Sequence, residues 1–200
     1  GSEKTLFQLT IITAIVFGLI VMFGGFWACN KRNGFVGLRE DAKAQWQQVE
    51  SQYQRRMDLI PNIVASVKGE ANFEKSTLEA VVAARASATQ VKVNLDDINE
   101  ESIAKYKAAQ GELSNALGRL LMVTENYPNL KSNQAFSDLR VELEGCENRI
   151  ATERMKYNNL SRDYNKAIQM FPGSLLAGGF SPMAYFEAEA GAEKAPKVEF

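Results

Sequence analysis

The chain begins with a long uncharged run and continues with apolar residues spaced three and four positions apart. Twenty-six consecutive residues, from Thr5 to Asn30, carry no charge, and the core of this run is Leu6–Ala28. A helix rises about 1.5 Å per residue, so roughly 20 residues cross the hydrocarbon core of a bilayer. The run therefore predicts one membrane-spanning helix, and residues 1–30 form an N-terminal anchor whose direct partner is the lipid bilayer.

Four helical stretches are predicted after the anchor, at about 38–69, 73–91, 98–127 and 133–171. Each has an apolar stripe with alternating steps of three and four residues, which places the stripe on one helix face. The stripe of the first stretch is Trp46, Val49, Tyr53, Met57, Ile60, Val64 and Val67. Before the tail, the sequence has no pattern of period two. The predicted fold class is therefore all-α: a transmembrane helix followed by an antiparallel bundle of four long, coiled-coil-like helices over residues 31–171.

Three local signals refine these boundaries. Pro61 lies inside the first stripe and predicts a kink or break near residues 59–61, because proline lacks a backbone donor and clashes with the preceding turn. Asp97 and Glu100 have the spacing of a capping box and predict that the third helix begins near Ile98. Pro172 and Gly173 end the bundle, and residues 172–200 form a tail.

The tail is rich in aromatic residues for a solvated segment. Its aromatic residues are Phe180, Tyr185, Phe186 and Phe200. We expect part of it to lie extended on the bundle or on a neighbouring subunit, which favours a homo-oligomer. Tyr185, Phe186 and Phe200 are therefore candidate interaction residues.

The composition of the chain limits the partners, catalytic groups and metal sites that it can have. The net charge is −1 with both signs interleaved, which argues against a nucleic acid partner. The sequence has no histidine and two distant cysteines, Cys29 and Cys146. It shows no nucleophile with a base and no phosphate-binding loop, so we predict no catalytic residue, no cofactor and no metal site. A calcium or magnesium site built from carboxylates and lipidation of Cys29 remain open alternatives.

Charges flanking the apolar run indicate its orientation. Lys31, Arg32, Arg39 and Lys43 follow the run, whereas Lys4 alone precedes it. Excess lysine and arginine mark the cytoplasmic flank of a membrane helix. The bundle is thus predicted to lie on the cytoplasmic side of the cell (inner) membrane, with a periplasmic or extracellular location as the alternative.

Several segments resemble the LemA family of bacterial membrane proteins. They are RRMDLIPN at 55–62, YPNLK at 127–131, EGCENRI at 144–150, YN at 164–165 and PKVEF at 196–200. The resemblance covers about residues 33–200. It implies an N-terminal membrane helix, a mostly helical bundle and no agreed enzymatic activity. A magnetosome-membrane relative implies roles in organising membranes.

The remaining candidate residues lie in the resembling segments. Arg56 lies beside the apolar stripe of the first helix, and Glu125, Glu142 or Glu147 could meet it across the bundle. Such a buried ionic layer would fix helix register, and a ligand site is the alternative. The structural and interaction candidates in these segments are Arg55, Arg56, Asp58, Pro61, Glu147, Asn148 and Arg149.

Together these observations favour a non-enzymatic scaffold that self-associates or holds membrane protein partners at a membrane surface. The alternative is a sensor that binds a small ligand or ion in the bundle, with the Pro61 region as its movable element.

Overall fold

The computed structural model describes residues 1–186, and every regular element within them is helical. The helices are α1 (Ser2–Lys68), α2 (Lys75–Gln90), α3 (Glu100–Thr124), the single turn α4 (Pro128–Lys131) and α5 (Gln134–Gln169). A 3₁₀ turn, Gly173–Leu176, follows α5. The all-α prediction is confirmed, with helix boundaries that differ by a few residues.

The predicted anchor and the predicted first bundle helix are one continuous helix. α1 has 67 residues, which corresponds to roughly 100 Å. Sequence analysis placed the start of the first bundle helix near Leu38, and Gly34 and Gly37, just before it, disfavour a helix by about 1 kcal/mol each. The helix continues through these glycines because flanking residues, among them the buried Phe35, pack on the C-terminal part of the chain.

The N-terminal part of α1 has the character of a membrane span. Among residues 1–186, α1 is the one helix long and apolar enough to cross a membrane. Its large apolar side chains from Leu6 to Phe26 are 43% to 74% exposed. Since no segment within residues 1–186 covers them, lipid is the environment that suits this surface.

α1 also continues through Pro61, so of the predicted kink or break the break is wrong, and the kink stays a prediction. Proline leaves the carbonyl of Met57 without its usual donor four residues later. Arg85, on α2, supplies one instead, because its Nε donates to the Met57 carbonyl oxygen at 3.0 Å. The neighbouring helix thus satisfies the backbone group that Pro61 leaves free, which sequence periodicity could not show.

Replacing Pro61 with alanine should stabilise the protein. Pro61 is exposed, and alanine would restore a backbone donor to the Met57 carbonyl. Because proline costs about 3 kcal/mol in a helix interior, we expect a gain of roughly 1–3 kcal/mol in the free energy of unfolding. Denaturation of the full chain in mild detergent, followed by circular dichroism, measures it. No gain would mean that α1 is not a regular helix at this position.

A double-mutant cycle tests the role of Arg85. Arg85→Met alone should cost about 1–3 kcal/mol, since the Met57 carbonyl loses its side-chain donor. In the Pro61→Ala background the same substitution should cost clearly less, because the backbone then supplies a donor. Equal costs in both backgrounds would contradict the compensation.

The four long helices run alternately away from and towards the membrane end of α1. Contacts between α1 and α5 pair Gln45 with Glu153 and Arg55 with Glu142, so the two helices are antiparallel. α3 rises in the same direction as α1, and its residue Tyr106 lies against Trp46. The buried residues form two clusters, a membrane-proximal one that contains Trp46 and a distal one that contains Met57. The two clusters meet near Arg56.

Asparagine caps begin two of the helices. The N-cap of α3 is Asn99, whose side chain accepts a hydrogen bond from the backbone N–H of Ser102 at 2.8 Å. The predicted capping box on Asp97 is therefore wrong by two residues. The side-chain carbonyl of Asn99 accepts from a backbone N–H of the first helical turn, which is the role that the capping box was expected to fill. Asn133 caps α5 in the same way, with Phe136 as donor at 3.0 Å.

The C-terminal segment turns back along the bundle after α5. Residues 177–186 have no regular structure and lie against α5 and the loop before α3. The backbone N–H of Ala184 donates to the carbonyl of Ile98 at 3.0 Å, and Phe186 is 1% exposed. This part of the predicted tail thus packs on its own bundle. Residues 187–200, including Phe200, lie outside the described residues.

Candidate functional site

The most unusual group in the bundle is a buried arginine. Arg56 is 2% exposed, and its Nη1 donates to Glu147 Oε1 on α5 at 2.9 Å. Its Nη2 donates to the backbone carbonyl and the Oε1 of Gln110 on α3, at 2.9 and 2.7 Å. One side chain therefore links α1, α3 and α5. We call Arg56, Gln110 and Glu147 the arginine layer.

The layer is only partly shielded from water. The Glu147 side chain is 42% exposed, whereas that of Arg56 is 2% exposed. The guanidinium carbon of Arg56 also lies 5.1 Å from the ring centre of Tyr53, which gives a cation–π contact. A charge in this position costs desolvation energy unless its donors are paired. Two of the three donor nitrogens are paired, and the buried Arg56 Nε has no hydrogen-bond partner.

The layer divides the bundle core into two clusters of different character. The distal cluster is built mainly from aliphatic residues such as Leu113 and Leu117, whereas the proximal cluster is rich in aromatic residues. A fixed polar pairing between apolar clusters penalises a shift of one helix along another, because the shift would leave a buried charge unpaired. The geometry therefore suits a register-fixing contact rather than chemical reactivity.

An aromatic cluster surrounds Trp46 on the membrane side of the layer. Trp46 is fully buried, and its ring centre lies 5.4 Å from that of Tyr106 and 5.2 Å from that of Tyr157. Phe186 stacks on it at 5.8 Å. Burial raises the pKa of Tyr157 to about 12 and raises the pKa of Tyr106 as well. These hydroxyls therefore stay protonated across physiological pH.

One carboxylate reaches this cluster. The Trp46 Nε1–H donates to Glu50 Oε1 at 2.7 Å. Partial burial raises the pKa of Glu50 above its ordinary value of 4.5, and the hydrogen bond from Trp46 offsets part of the rise. The folded protein thus holds the Glu50 proton more tightly than the unfolded chain does.

A pH dependence follows, with a defined sign. The contribution of Glu50 to the free energy of unfolding should fall as pH rises from 4.5 through its raised pKa, because the unfolded state releases this proton first. Glu50→Gln keeps an acceptor for Trp46 and removes the charge. It should stabilise the protein at pH 7, and the gain should disappear below pH 4.5. Melting temperatures across this pH range measure the gain, and the exposed Glu112→Gln is the control. A gain that persists below pH 4.5 would contradict the raised pKa of Glu50 as its cause.

The other candidate residues of the RRMDLIPN segment lie at the surface. Arg55 is exposed and pairs with Glu142 at 3.2 Å. Asp58 accepts a hydrogen bond from Gln54 Nε2 of the same helix at 2.8 Å. Pro61 is also exposed. The structure therefore brings Arg56 and Glu147 together and leaves Arg55, Asp58 and Pro61 outside the layer.

The remaining candidates are scattered. Asn148 is exposed, and Arg149 Nε donates to Gln52 Oε1 at 3.2 Å. Tyr185 is 42% exposed and lines an open groove of about 530 Å³ beside α3. Glu125, a sequence candidate for pairing with Arg56, instead binds Lys131 and Arg140 at 2.9 and 3.0 Å. Hydrogen bonds from these two residues lower the pKa of Glu125.

Sequence reasoning assigned no role to three polar side chains that hold the structure together. Gln110 completes the arginine layer. Asn165 donates from Nδ2 to the Met183 carbonyl at 2.7 Å and accepts from the Met183 N–H at 2.8 Å, and Asn158 holds Phe186 in the same two-bond manner. Asn158 and Asn165 are two helical turns apart and share one face of α5. A repeated asparagine on one helix face was the available signal.

The described residues show no metal centre. Within residues 1–186, no group of three or more histidine, cysteine, aspartate or glutamate residues could hold a metal ion. Cys146 is buried in the distal cluster, and Cys29 is exposed on α1 near its membrane exit.

The fold defines a helical-bundle protein of the membrane-associated class. A sequence model of the LemA family matches residues 45–200, and the chain belongs to this family. The magnetosome protein MamQ of Magnetospirillum gryphiswaldense is 32% identical over 206 residues, which cover 93% of this chain and 73% of the relative. Magnetosome protein MamQ 1 of Paramagnetospirillum magneticum is 29% identical over 206 residues, which cover 94% of this chain and 73% of that relative. Protein LemA of Metamycoplasma hominis is 22% identical over 171 residues, with 86% and 72% covered.

Proposed function

We propose that this protein is a non-enzymatic scaffold that projects a rigid bundle from a membrane and acts by self-association or by holding membrane protein partners. The observation that carries the proposal is the continuity of α1 from the membrane span into the bundle. A helix without an interruption fixes the position of the bundle relative to the bilayer. Such a connection suits a spacer or an assembly platform better than a loosely tethered enzyme.

The chemistry of the described residues supports a non-catalytic role. Arg56 and Glu147 pair with each other, Glu50 receives a hydrogen bond from Trp46, and the buried tyrosines stay protonated. A catalytic group would need a reactive atom turned towards a substrate cleft. These groups are instead committed to contacts within the bundle, which is the pattern of a structural core.

The relatives support a role at a membrane structure. Three of them are named magnetosome proteins, and we propose a corresponding role in organising a bacterial membrane for this chain. The excess of basic residues after the span favours a cytoplasmic bundle in the cell membrane. Labelling of single cysteines with a membrane-impermeant reagent in intact cells tests this orientation.

Particle mass tests self-association. The full chain in mild detergent, measured by light scattering with the detergent mass subtracted, should exceed the 22.2 kDa of one chain by a whole-number factor. A mass of one chain in both detergent and lipid nanodiscs would overturn the self-association version. Proteins that co-purify with the full chain then test the partner-holding version.

A truncation tests the predicted contribution of the closing segment. A chain that ends at Phe186 keeps the buried Phe186 and its contacts with Asn158, so its bundle should stay intact. If residues 187–200 link subunits, this variant should have a lower mass than the full chain. A chain that ends at Ala184 is the comparison, because it also loses the stacking on Trp46. Equal masses for the full chain and the chain ending at Phe186 would exclude this link.

The sensor alternative makes a different prediction. It needs a ligand that stabilises the folded state, so a thermal-shift screen against metabolites and divalent ions should give a reproducible shift above about 2 °C. Its predicted movable element, the Pro61 region, lies in a continuous helix with its free carbonyl satisfied by Arg85. This arrangement favours the scaffold.

A further inference from the structure

The end of the bundle that faces the membrane is a short turn between α5 and the returning segment. α5 runs antiparallel to α1 and therefore approaches the membrane exit of α1 at its C-terminus. After the turn, the chain runs back: Ser181 contacts Tyr164, Ala184 contacts Tyr157 and Phe186 contacts Asn158. Residues 170–176, which we call the apical turn, are thus the membrane-proximal apex of this end of the bundle.

The apical turn lies at the level where α1 leaves the bilayer. Arg32 Nη1 donates to the carbonyl of Leu176 at 2.7 Å and to that of Gly178 at 3.1 Å. Arg32 follows Trp27, at the end of the apolar run, by five residues, or about 7.5 Å along the helix. A bilayer has a headgroup layer of roughly 5–8 Å on each side of its hydrocarbon core. Arg32 and the carbonyls that it binds therefore lie at headgroup depth.

The turn presents large apolar side chains at this depth. Phe171 is 77% exposed, Leu175 is 74% exposed and Met170 is 54% exposed. Transfer of each from water to an apolar environment is favourable. No segment within residues 1–186 covers them, although Phe180, an aromatic residue of the same region, is more deeply buried against α1.

The backbone of the turn is packed against α1 and α5, which fixes the position of the turn. Gly173 is packed so closely that an added Cβ would lie 2.8 Å from the Ala167 carbonyl oxygen and 3.1 Å from the Phe35 ring. The Phe180 ring lies 5.5 Å from that of Phe35, with the guanidinium carbon of Arg32 at 5.0 Å. These contacts attach the turn to α1 just above the membrane span.

We propose that the apical turn is a second membrane contact, in which Phe171, Leu175 and Met170 insert into the lipid boundary of the leaflet that α1 leaves. The occupant of this surface is lipid, because the turn is attached to a membrane helix at headgroup depth and is flanked by the basic residues Lys31 and Arg32. Apolar residues beside basic ones are the usual composition of an interfacial membrane contact. The inference goes beyond the proposed function and does not depend on self-association.

A fluorescent label on the turn tests this contact. Cys29→Ser removes the exposed native thiol, and the buried Cys146 stays. Ser174→Cys, exposed and between the apolar side chains, carries a nitrobenzoxadiazole group. The matched control is Met122→Cys, 70% exposed at the distal end of α3. The full chain is reconstituted into nanodiscs of phosphatidylcholine and phosphatidylglycerol, which leave both faces open to solutes.

Two quenchers report the surroundings of each label. At position 174, lipids with a doxyl group near the headgroup should quench several-fold more strongly than at position 122, and aqueous iodide should quench several-fold less. Phe171→Glu combined with Leu175→Glu should remove the lipid quenching at position 174 with an unchanged helix content, since both side chains are exposed. These results would support the membrane contact.

Three results would overturn it. Equal iodide quenching at positions 174 and 122 would place the turn in water. Protection from both iodide and doxyl lipid would mean that a second copy or another protein covers the turn. Lipid quenching that persists in the double glutamate variant would show that the label inserts without help from the turn.

Discussion

Arg56→Ala should lower the free energy of unfolding by about 3–5 kcal/mol. The substitution empties a buried position that touches three helices. It also leaves the two Gln110 oxygens without the donor that lies 2.7 and 2.9 Å away. A cavity and unsatisfied buried acceptors each carry a cost, and both arise here. Chemical denaturation of the full chain in mild detergent, followed by circular dichroism at the helix band, gives the value.

The neighbouring arginine is a matched control. Arg55 has the same charge and an ion pair of similar length with Glu142, at 3.2 Å, but its side chain is 55% exposed. Exposed pairs contribute about 0.2–1 kcal/mol, so Arg55→Ala should change stability little. Similar losses for the two alanine variants would contradict the assignment of Arg56 as the buried member.

Arg56→Met separates stability from register. Methionine fills much of the arginine volume, and such replacements of buried ionic groups are often nearly neutral. We expect a folded domain with a loss below about 2 kcal/mol and with less uniquely packed helices. Broadened methyl resonances or a shallower denaturation transition would reveal the looser packing. An unchanged melting profile together with an unchanged oligomer size would remove the register role.

Trp46→Ala should have a comparable effect through a different mechanism. Trp46 is 0% exposed, contacts the rings of Tyr106, Tyr157 and Phe186, and donates to Glu50. Removing a buried tryptophan costs about 3–5 kcal/mol through lost transfer energy and the remaining cavity. The loss should also weaken the attachment of the C-terminal segment, since Phe186 stacks on this ring. Protease sensitivity near residue 186 provides a second measurement.

The chain has one other tryptophan for comparison. Trp27 is 41% exposed and lies where the apolar run meets the membrane interface. Trp27→Ala should leave the denaturation midpoint of the bundle close to that of the unchanged protein. An equal loss for the two variants would indicate that the tryptophan effects come from general expression or detergent problems rather than from the core.

Helix periodicity predicted most of the fold because each long helix buries one continuous stripe. All seven stripe residues of the first stretch, from Trp46 to Val67, are buried. Contacts between distant residues that offset a locally unfavourable residue were not predictable in the same way. Pro61 indicated a break by a local rule, and the donor that satisfies the Met57 carbonyl comes from Arg85, 28 residues away from it. The continuous helix through Gly34 and Gly37 likewise depends on packing against distant residues.

The candidate site was predictable only where charge and stripe position coincided. Arg56 lies beside the apolar stripe, and Glu147 was one of three carboxylates that the bundle could place opposite it. To choose among them, one must know how α5 is aligned along α1. Sequence periodicity does not determine this alignment, because a shift by whole helical turns keeps the same face buried. Gln110 interrupts an apolar stripe and could have been assigned to the layer, since a polar residue in such a stripe needs a buried partner.

If the apolar part of α1 spans a bilayer, the unbroken helix ties the orientation of the bundle to the tilt of that span. The apolar core Leu6–Ala28 has 23 residues, or about 34 Å, and a bilayer core of about 30 Å accommodates this length by tilting the helix. The part of α1 beyond residue 30 extends roughly 57 Å, so a tilt of about 20° moves its far end sideways by roughly 20 Å. The thickness of the local bilayer therefore sets the tilt of α1, and the tilt sets how far the distal end of the bundle is displaced along the membrane.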